Sequence, residues 1–224
     1  MTSKELEEWL NDWYNLISEI SICFENAQRL TKNKYLEEEE EIKKFGFFQY
    51  YWHQTKFIQI VNITKILGRG DSHKRSVHKL MNRLTNDKNE PKLIQCLLDR
   101  SGNSDARSAL SDLSKTVDNL VSTHEQTITK IIKARDKIYA HKDHVKSVPN
   151  VTIEEFQQIR ELLAKLYNSI SLKLASHEAQ LENIPGYEVD WILKNLSEYR
   201  QLRREQFKQE LETIIKPKSN NSIQ

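Results

Sequence analysis

The positions of proline and glycine constrain the fold of this chain more than any other feature of its sequence. In 224 residues there are four Pro and five Gly, and nearly all of them lie where a helical pattern stops. The segments between these breaks are long, whereas a chain of β-strands needs a turn about every ten residues. The spacing therefore predicts an all-α protein. The breaks are Gly68, Gly70, Pro91, Gly102, Pro149, Pro185, Gly186 and Pro217.

Apolar periodicity places the first helix. The residues Thr2-Ser3-Lys4-Glu5 form a capping-box pattern, in which a hydroxyl and a carboxylate bind backbone N–H groups that the first turn leaves free. Apolar residues at intervals of three and four then continue from Leu6 to Leu30 and predict a helix of about 28 residues. The five carboxylates from Glu37 to Glu41 follow. We expect this acidic run to be solvated, as a helix start or a loop.

The most aromatic segment extends from Phe45 to Leu67 and is apolar around most of its circumference. Such a helix is usually central and buried, or belongs in part to a subunit interface; base stacking is the alternative. A glycine-rich turn follows, with Asp71 or Ser72 expected to cap the next helix. Short helices are predicted at Ser72–Leu84 and Pro91–Asp99. The first of them is basic, with His73, Lys74, Arg75, His78, Lys79 and Arg83.

The remaining helices follow from caps and breaks. An apolar stripe runs from Ala106 to Ile138, and Ser104 is the expected N-cap of its helix. An unbroken helix of this length would be about 55 Å long, which is more than a compact domain of this size readily covers. We therefore predict a break near 122–124. A second capping box at Thr152-Ile153-Glu154-Glu155 starts a helix that should reach about Leu181. The last helix, 189–214, should stop before Pro217. We therefore expect one helical domain over residues 1–216 and a disordered polar tail over 217–224.

Charge and cysteine content limit the classes of function. The formal net charge is +2 with 29% charged residues, so any nucleic-acid contact must come from a local patch. Cys23 and Cys96 form neither a disulfide framework nor a CxxC pair, which is typical of a reducing compartment. No apolar leader and no membrane-length apolar run are found. We expect a cytoplasmic protein with no membrane contact.

One short stretch concentrates groups that can act on a phosphodiester. It reads Arg135-Asp136-Lys137-Ile138-Tyr139-Ala140-His141-Lys142-Asp143, at the end of the stripe that begins near residue 106. The segment from Lys130 to Lys146 contains six cations and two carboxylates, which gives a local charge of +4. Arg135 occupies a stripe position that an apolar residue would ordinarily fill. A guanidinium held there needs an anionic partner, such as a phosphate or a carboxylate across an interface.

This string resembles the Arg-polar-x4-His signature of the HEPN superfamily. It is most similar to the abortive-infection branch, the AbiU-like proteins of bacterial phage defence, in which Arg-Asp-Lys-x-x-Ala-His-x-Asp recurs. The resemblance implies an all-α, HEPN-like antiparallel helical bundle with additional flanking helices. It also implies a two-fold homodimer whose paired motifs line a shared cleft, in a superfamily that includes metal-independent endoribonucleases and non-catalytic modules.

The chemistry of RNA cleavage assigns a role to each motif residue. His141 suits proton transfer because an imidazole titrates near neutral pH. Arg135 suits stabilisation of the phosphorane because its planar fork keeps its charge, and Asp136 can orient either group. Lys130, Lys133, Lys137 and Lys142 can hold flanking phosphates. Since the attacking group is the substrate's own 2′-hydroxyl, the reaction selects RNA over DNA. The resemblance implies that it needs no metal or other cofactor.

Helix geometry leaves two ways in which the motif could act on one phosphate, and the resemblance implies the second, a dimer. Arg135 and His141 diverge by roughly 120° and are about 9 Å apart along a helix, so one helix presents them poorly to a single phosphate. Either the helix ends before His141, or two chains each contribute a pair. The expected partners are RNA and a second copy of the chain, and a cognate antitoxin is left open.

Other interpretations of the same residues stay open. The cations can form a solvated helix end that complements the negative end of the helix dipole. His141-x-x-His144 with Asp143 can chelate a metal, but no third and fourth ligand is evident, and the pair His73-x4-His78 is weaker still. The motif can also belong to a non-catalytic helical dimerisation or RNA-binding module. A simple dimer clasp would not need Lys130, Lys133 and Lys142.

Overall fold

The computed structural model confirms an all-α architecture. It describes residues 1–32, 36–70, 73–86, 88–139, 148–181, 184–185 and 187–215, and within these ranges there are nine helices and no strand. The helices are α1 Ser3–Thr31, α2 Leu36–Lys43, α3 Gly46–Leu67, α4 Val77–Asn86, α5 Pro91–Ser101, α6 Ala106–Thr123, α7 Glu125–Tyr139, α8 Ile153–Leu174 and α9 Val189–Ile215. The predicted tail, 217–224, lies outside the described residues.

The main core forms around α1, which packs against both α3 and α8. Its largest fully buried side chains include Trp13, Ile17, Ile63 and Phe156. The indole N–H of Trp13 donates to the carbonyl of Arg75 at 2.7 Å, so the loop before α4 is fixed to α1. Helix α7 packs on α3, while α5 and α6 cover α8. This core carries α7 and the loop before α4 on one side of the molecule.

Both predicted capping boxes are present. The Thr2 hydroxyl accepts from the N–H of Glu5, and the Glu5 carboxylate accepts from the N–H of Thr2 at 2.8 Å. Thr152 and Glu155 make the same reciprocal pair at the start of α8. The predicted break near 122–124 is also found, because α6 ends at Thr123 and α7 begins at Glu125.

Three predicted boundaries are wrong. Helix α8 ends at Leu174, because Ser176 adopts a left-handed conformation with φ 60°; Leu181 is buried outside the helix, where its carbonyl accepts from Ser21. Helix α4 begins at Val77 instead of Ser72. The cap of α6 is Asp105 instead of Ser104, since its carboxylate accepts from the N–H of Ser108 at 2.9 Å. The predicted caps Asp71 and Ser72 lie outside the described residues.

The acidic run is not wholly solvated, which corrects the prediction for Glu37–Glu41. It lies in α2, where Glu39 is completely buried. Its carboxylate binds Arg29 of α1 at 2.6 Å and Lys43 at 2.5 Å, and Arg29 also binds Asp190 of α9. A buried carboxylate requires such paired cations. This ion network joins α1, α2 and α9 beside a small second core of Ile42, Phe48, Val189 and Leu193.

The aromatic segment is buried only in part. Phe48 lies in the second core, but Phe45, Phe47 and Tyr50 are more than half exposed. The prediction of a buried helix therefore holds for the face of α3 that contacts α1, and not for its N-terminal aromatic residues. Within the described ranges, no helix combines the length and apolarity that a membrane crossing requires.

Candidate functional site

Helix α7 holds Arg135 at the rim of the main core. Ile128, Ile131 and Ala134 are buried on the face of α7 that contacts α3 and α8. Arg135 follows Ala134 at the edge of that face, and its side chain is 24% exposed. The apolar stripe identified in the sequence thus contains, before Ile138, a guanidinium that is partly shielded from water and still accessible.

The guanidinium of Arg135 has one charged and one neutral partner. Its Nε and Nη2 atoms donate to Oδ1 of Asp136 at 2.9 Å and 2.5 Å. Its Nη1 atom donates to Nε2 of His73 at 3.1 Å. A guanidinium carries five N–H groups, so these contacts leave donors that no other described residue accepts from. Asp136 is 55% exposed, so the pair faces solvent.

His73 is the part of this site that sequence reasoning missed. It comes from the loop between α3 and α4, 62 residues before Arg135. Because its Nε2 accepts from arginine, the neutral ring carries its proton on Nδ1. Burial and the neighbouring charge of Arg135 hold the pKa of His73 below its ordinary value. The sequence signal was the basic run that follows Gly68, but a run of cations does not indicate which of them reaches α7.

Close packing fixes the position of the His73 ring. A Cβ atom added at Gly68 would lie 2.5 Å from Cδ2 of His73 and 2.5 Å from the carbonyl oxygen of Thr64. The ring therefore lies directly against the backbone at the end of α3. The N–H of His73 also donates to the carbonyl of Gly70 at 3.0 Å. A side chain at position 68 would therefore displace either the His73 ring or the backbone at the end of α3.

A cleft of about 550 Å³ is lined in part by His73, and its lining also includes the carboxylates Asp12 and Glu19 of α1. It opens between α1 and the loop that precedes α4, and His73, Lys74 and Arg75 line one wall. Arg75 is engaged by Asp12 and Glu8 of α1, whereas Lys74 is exposed. The imidazole thus borders both the cleft and the guanidinium of Arg135, which places a volume the size of a nucleotide beside the candidate phosphate site.

Of the other predicted site residues, three lie on α7 and the rest lie outside the described residues. Lys133 is exposed and Lys137 is half-buried on α7, whereas Lys130 donates to both carboxylate oxygens of Glu155 at 2.7 Å. Lys130 therefore binds the capping residue of α8. His141 and Lys142 lie outside the described residues, as do His144 and Asp143 of the alternative metal site.

The described residues contain no group of three or more His, Cys, Asp or Glu side chains suited to a metal ion. The histidine pair at 73 and 78 is instead engaged by arginine: Nε2 of His73 accepts from Arg135, and Nε2 of His78 accepts from Arg69 at 3.4 Å. Burial and the charge of Arg69 lower the pKa of His78 as well. Both rings act as neutral acceptors for guanidinium groups.

Comparison with known families identifies the chain. The sequence model of a HEPN family described as AbiU2 matches residues 3–188, from the first residue of α1 to the residue before α9. The chain therefore belongs to the AbiU2 family of HEPN domains, a class related to abortive infection. No curated protein and no solved structure was found to match it. The family predicted from the nine-residue string that begins at Arg135 is confirmed.

Proposed function

We propose that the protein is a metal-independent endoribonuclease of a bacterial abortive-infection or toxin-type system, and that it acts as a homodimer. The observation that carries this proposal is the orientation of the Arg135 guanidinium and its accessibility to a ligand. Its guanidinium is oriented by Asp136 and by a neutral imidazole, and it retains N–H donors at an accessible rim. Preorganised donors of this kind stabilise charge that develops on a phosphorane.

The reaction assigns the remaining steps to the motif. The 2′-hydroxyl of the RNA attacks the adjacent phosphorus, and the bond to the 5′-oxygen breaks. Arg135 binds the non-bridging oxygens, and Asp136 holds the guanidinium in place. His141 transfers the protons in this proposal. A second chain supplies a second Arg–His pair, because Arg135 and His141, six residues apart, would diverge by roughly 120° if both lay on one helix.

The RNA strand is proposed to run along the basic side of the molecule. Lys133 and Lys137 of α7 would bind phosphates, together with Lys142. The cleft beside His73 would receive a nucleotide next to the scissile phosphate. Lys130 would contribute less, because Glu155 holds its ammonium group. In this proposal the protein is cytoplasmic. A cognate antitoxin would be a further partner.

The test compares cleavage of mixed RNA in the presence of a chelator. Wild type, Arg135→Ala and His141→Ala are assayed, with Arg107→Ala, an exposed arginine of α6, as the matched control. Loss of one phosphorane donor should reduce the cleavage rate by about 10²–10³-fold. The control should cleave like wild type. Oligomeric state is measured in parallel, so that a lost dimer is not mistaken for lost chemistry.

One observation favours a second candidate function, a non-catalytic dimerisation or RNA-binding module. Lys130, which belongs to the basic run, is bound to the cap of α8 and so contributes to the fold. If neither wild type nor any variant cleaves RNA in any buffer, the ribonuclease proposal is rejected. RNA binding that weakens in Lys133→Ala then supports the module, since removal of a phosphate contact lowers the salt slope of binding by about 1.

A further inference from the structure

The cleft beside His73 is lined by carboxylates as well as by cations. Asp12 and Glu19 both line it, and they lie about 10.5 Å apart along nearly the same face of α1. The cations come from Lys65 at the end of α3 and from the loop that precedes α4. Because a carboxylate repels a phosphate at short range, the interior of the cleft suits an uncharged group that both donates and accepts hydrogen bonds. A nucleobase is such a group.

The two carboxylates of the cleft differ in what they bind. Asp12 forms an ion pair with Arg75. Among the described residues, the Glu19 carboxylate accepts only from the side-chain amide of Asn62, at 2.5 Å. Asn62 is 3% exposed, so a buried amide orients a carboxylate that itself is exposed. A carboxylate offers about four acceptor positions, and most of those on Glu19 therefore remain available to a ligand.

The same buried amide also holds a cation. The Oδ1 atom of Asn62 accepts from the ammonium group of Lys65 at 3.1 Å, while its Nδ2 atom donates to Glu19. An acceptor group and a donor group are thus held side by side at the edge of the cleft. Leu16, which is half-buried, lies in the lining about one helical turn before Glu19 and gives a flat ring an apolar surface to pack on.

This order of groups matches the Watson–Crick edge of guanine. That edge presents the O6 acceptor, followed by the N1–H and N2–H donors, and in single-stranded RNA it is open to a protein. An ammonium group can donate to O6 while one carboxylate accepts from both neighbouring donors. Adenine and cytosine present a donor in place of O6 and an acceptor in place of N1–H. Uracil matches the first two positions, but its O2 acceptor would face the carboxylate at the third.

We propose that the cleft beside His73 is a guanine-selective site and that Glu19 is its specificity-determining residue. Glu19 accepts from N1–H and N2–H of the base, Lys65 donates to O6, and Asn62 is a positioning residue for both. This assignment rests on the proposed function, because the His73 ring borders both the cleft and Arg135. A guanosine bound in the cleft lies next to the scissile phosphate, so the enzyme cuts single-stranded RNA beside guanosine.

The first experiment measures binding without cleavage. The 3′,5′-bisphosphates of guanosine, inosine, adenosine, cytidine and uridine, which carry a phosphate on either side of the nucleoside, are titrated into the full chain by calorimetry. The guanosine compound should bind more tightly than each of the others by roughly tenfold, because a bidentate contact to a base edge discriminates by about this factor. Inosine differs from guanosine only in lacking the N2 amino group, so this pair isolates the second hydrogen bond to the carboxylate.

The same titrations on two variants test the role of Glu19. Glu19→Gln and the control Glu7→Gln remove one carboxylate each from α1, and Glu7 is an exposed residue outside this cleft. The preference for guanosine over inosine should disappear in Glu19→Gln, because an amide offers a single acceptor oxygen. The control should keep the preference. Both variants should keep the helical circular dichroism of wild type, since both side chains are exposed.

The second experiment maps the cleavage sites in a single-stranded RNA that contains all four nucleotides. Wild type and Glu7→Gln should cut beside guanosine, and Glu19→Gln should cut with this preference lost. The distribution of sites is the readout, so a lower overall rate in a variant does not count as support.

The two experiments separate this proposal from the proposed function. Guanosine-selective binding that requires Glu19, without any cleavage of RNA, supports the guanine site and rejects the endoribonuclease. Equal binding of the five bisphosphates overturns the guanine site, and so does cleavage with no preference for guanosine, although cleavage itself upholds the endoribonuclease. A preference for guanosine that survives in Glu19→Gln also overturns the proposal.

Discussion

Two arginines of this chain show how the same side chain can serve the fold or a ligand. Arg29 lies where α1, α2 and α9 meet, and it is bound to Glu39, which is fully buried, and to Asp190. Arg135 lies at the rim of α7 and is bound to the exposed carboxylate of its own neighbour, Asp136, and to neutral His73. The first arginine has its charge balanced inside the structure. The second has its charge balanced only at the surface.

This difference indicates which of the two can accept an anion. A ligand at Arg29 would have to displace a buried carboxylate and leave it unpaired, at a cost of several kcal/mol. A phosphate at Arg135 would compete with one exposed carboxylate, and exposed ion pairs contribute about 0–1 kcal/mol. Accessibility of donors, and not the presence of an arginine, therefore distinguishes the candidate site from the structural network.

The largest expected effect separates these two arginines directly. Arg29→Met should lower the free energy of unfolding by about 3 kcal/mol, at the lower end of the range for breaking a buried pair, because Lys43 still neutralises Glu39. Arg135→Met should lower it by less than about 1 kcal/mol. Urea denaturation of both variants measures the difference. Equal losses would show that Arg135 is structural and would remove the basis of the comparison.

A smaller effect is expected where the backbone supports His73. Gly68→Ala should cost about 1–3 kcal/mol in the free energy of unfolding, because the added Cβ overlaps the His73 ring and a carbonyl oxygen. Gly46→Ala is the matched control, since no atom lies within 4 Å of a Cβ added there. It should be neutral or stabilise by about 0.5 kcal/mol. Thermal unfolding of the two variants reports the difference, and an equal response would contradict tight packing at His73.

Removal of the ion pair at Lys130 tests whether this cation serves the fold or RNA. Glu155→Gln should keep the capping box, because glutamine also caps, and should lower the free energy of unfolding by about 1 kcal/mol. Release of the Lys130 ammonium should steepen the salt dependence of RNA binding by about one unit of slope. Filter binding at several salt concentrations checks this. An unchanged slope would mean that Lys130 does not reach the RNA or already contacts it.

The smallest expected effect is the pH dependence that His73 contributes. Its pKa in the folded chain lies below 6.5 because burial and Arg135 disfavour the charged ring. The unfolded chain therefore binds the proton more readily, and stability is lost as the pH falls below 6.5. In His73→Gln, an amide oxygen can accept from Arg135 without titrating, so this loss should shrink. His78, whose pKa is also lowered, should retain part of it.

Urea titrations of wild type and His73→Gln above and below pH 6.5 measure this difference. The same acid-side loss in both proteins would show that the histidine ring makes no contribution through Arg135.

Local sequence signals predicted most of the helices. The capping boxes at Thr2 and Thr152 depend on neighbouring residues, whereas the break near Thr123 follows from the excessive length of an unbroken helix, and the structure reproduces all three. The end of α8 was overestimated because Leu181 continues the apolar periodicity. That leucine is indeed buried, but it reaches the core from a loop after the left-handed turn at Ser176. Apolar periodicity indicates which residues are buried, but it does not by itself indicate that they are helical.

Contacts between distant segments were beyond sequence reasoning. Glu39 belongs to a run of five identical residues, and only the approach of α1 and α9 distinguishes the buried one. The sequence pattern predicts His73 as one member of a short basic helix, and its pairing with Arg135 depends on how α3 and α7 pack. The role of Arg135 was predicted because an arginine in an apolar stripe is conspicuous in one helix. Its partner, 62 residues earlier, was not.

The contact between Arg29 and Asp190 has a consequence for the order in which the chain can fold. It joins residues 161 positions apart, so α1 and α2 emerge from the ribosome long before the segment that completes their charge balance. Early folding intermediates would hold Glu39 with Lys43 and an incompletely neutralised Arg29. Docking of α9 would then be a late event of high contact order, at which this end of the molecule gains its final stability.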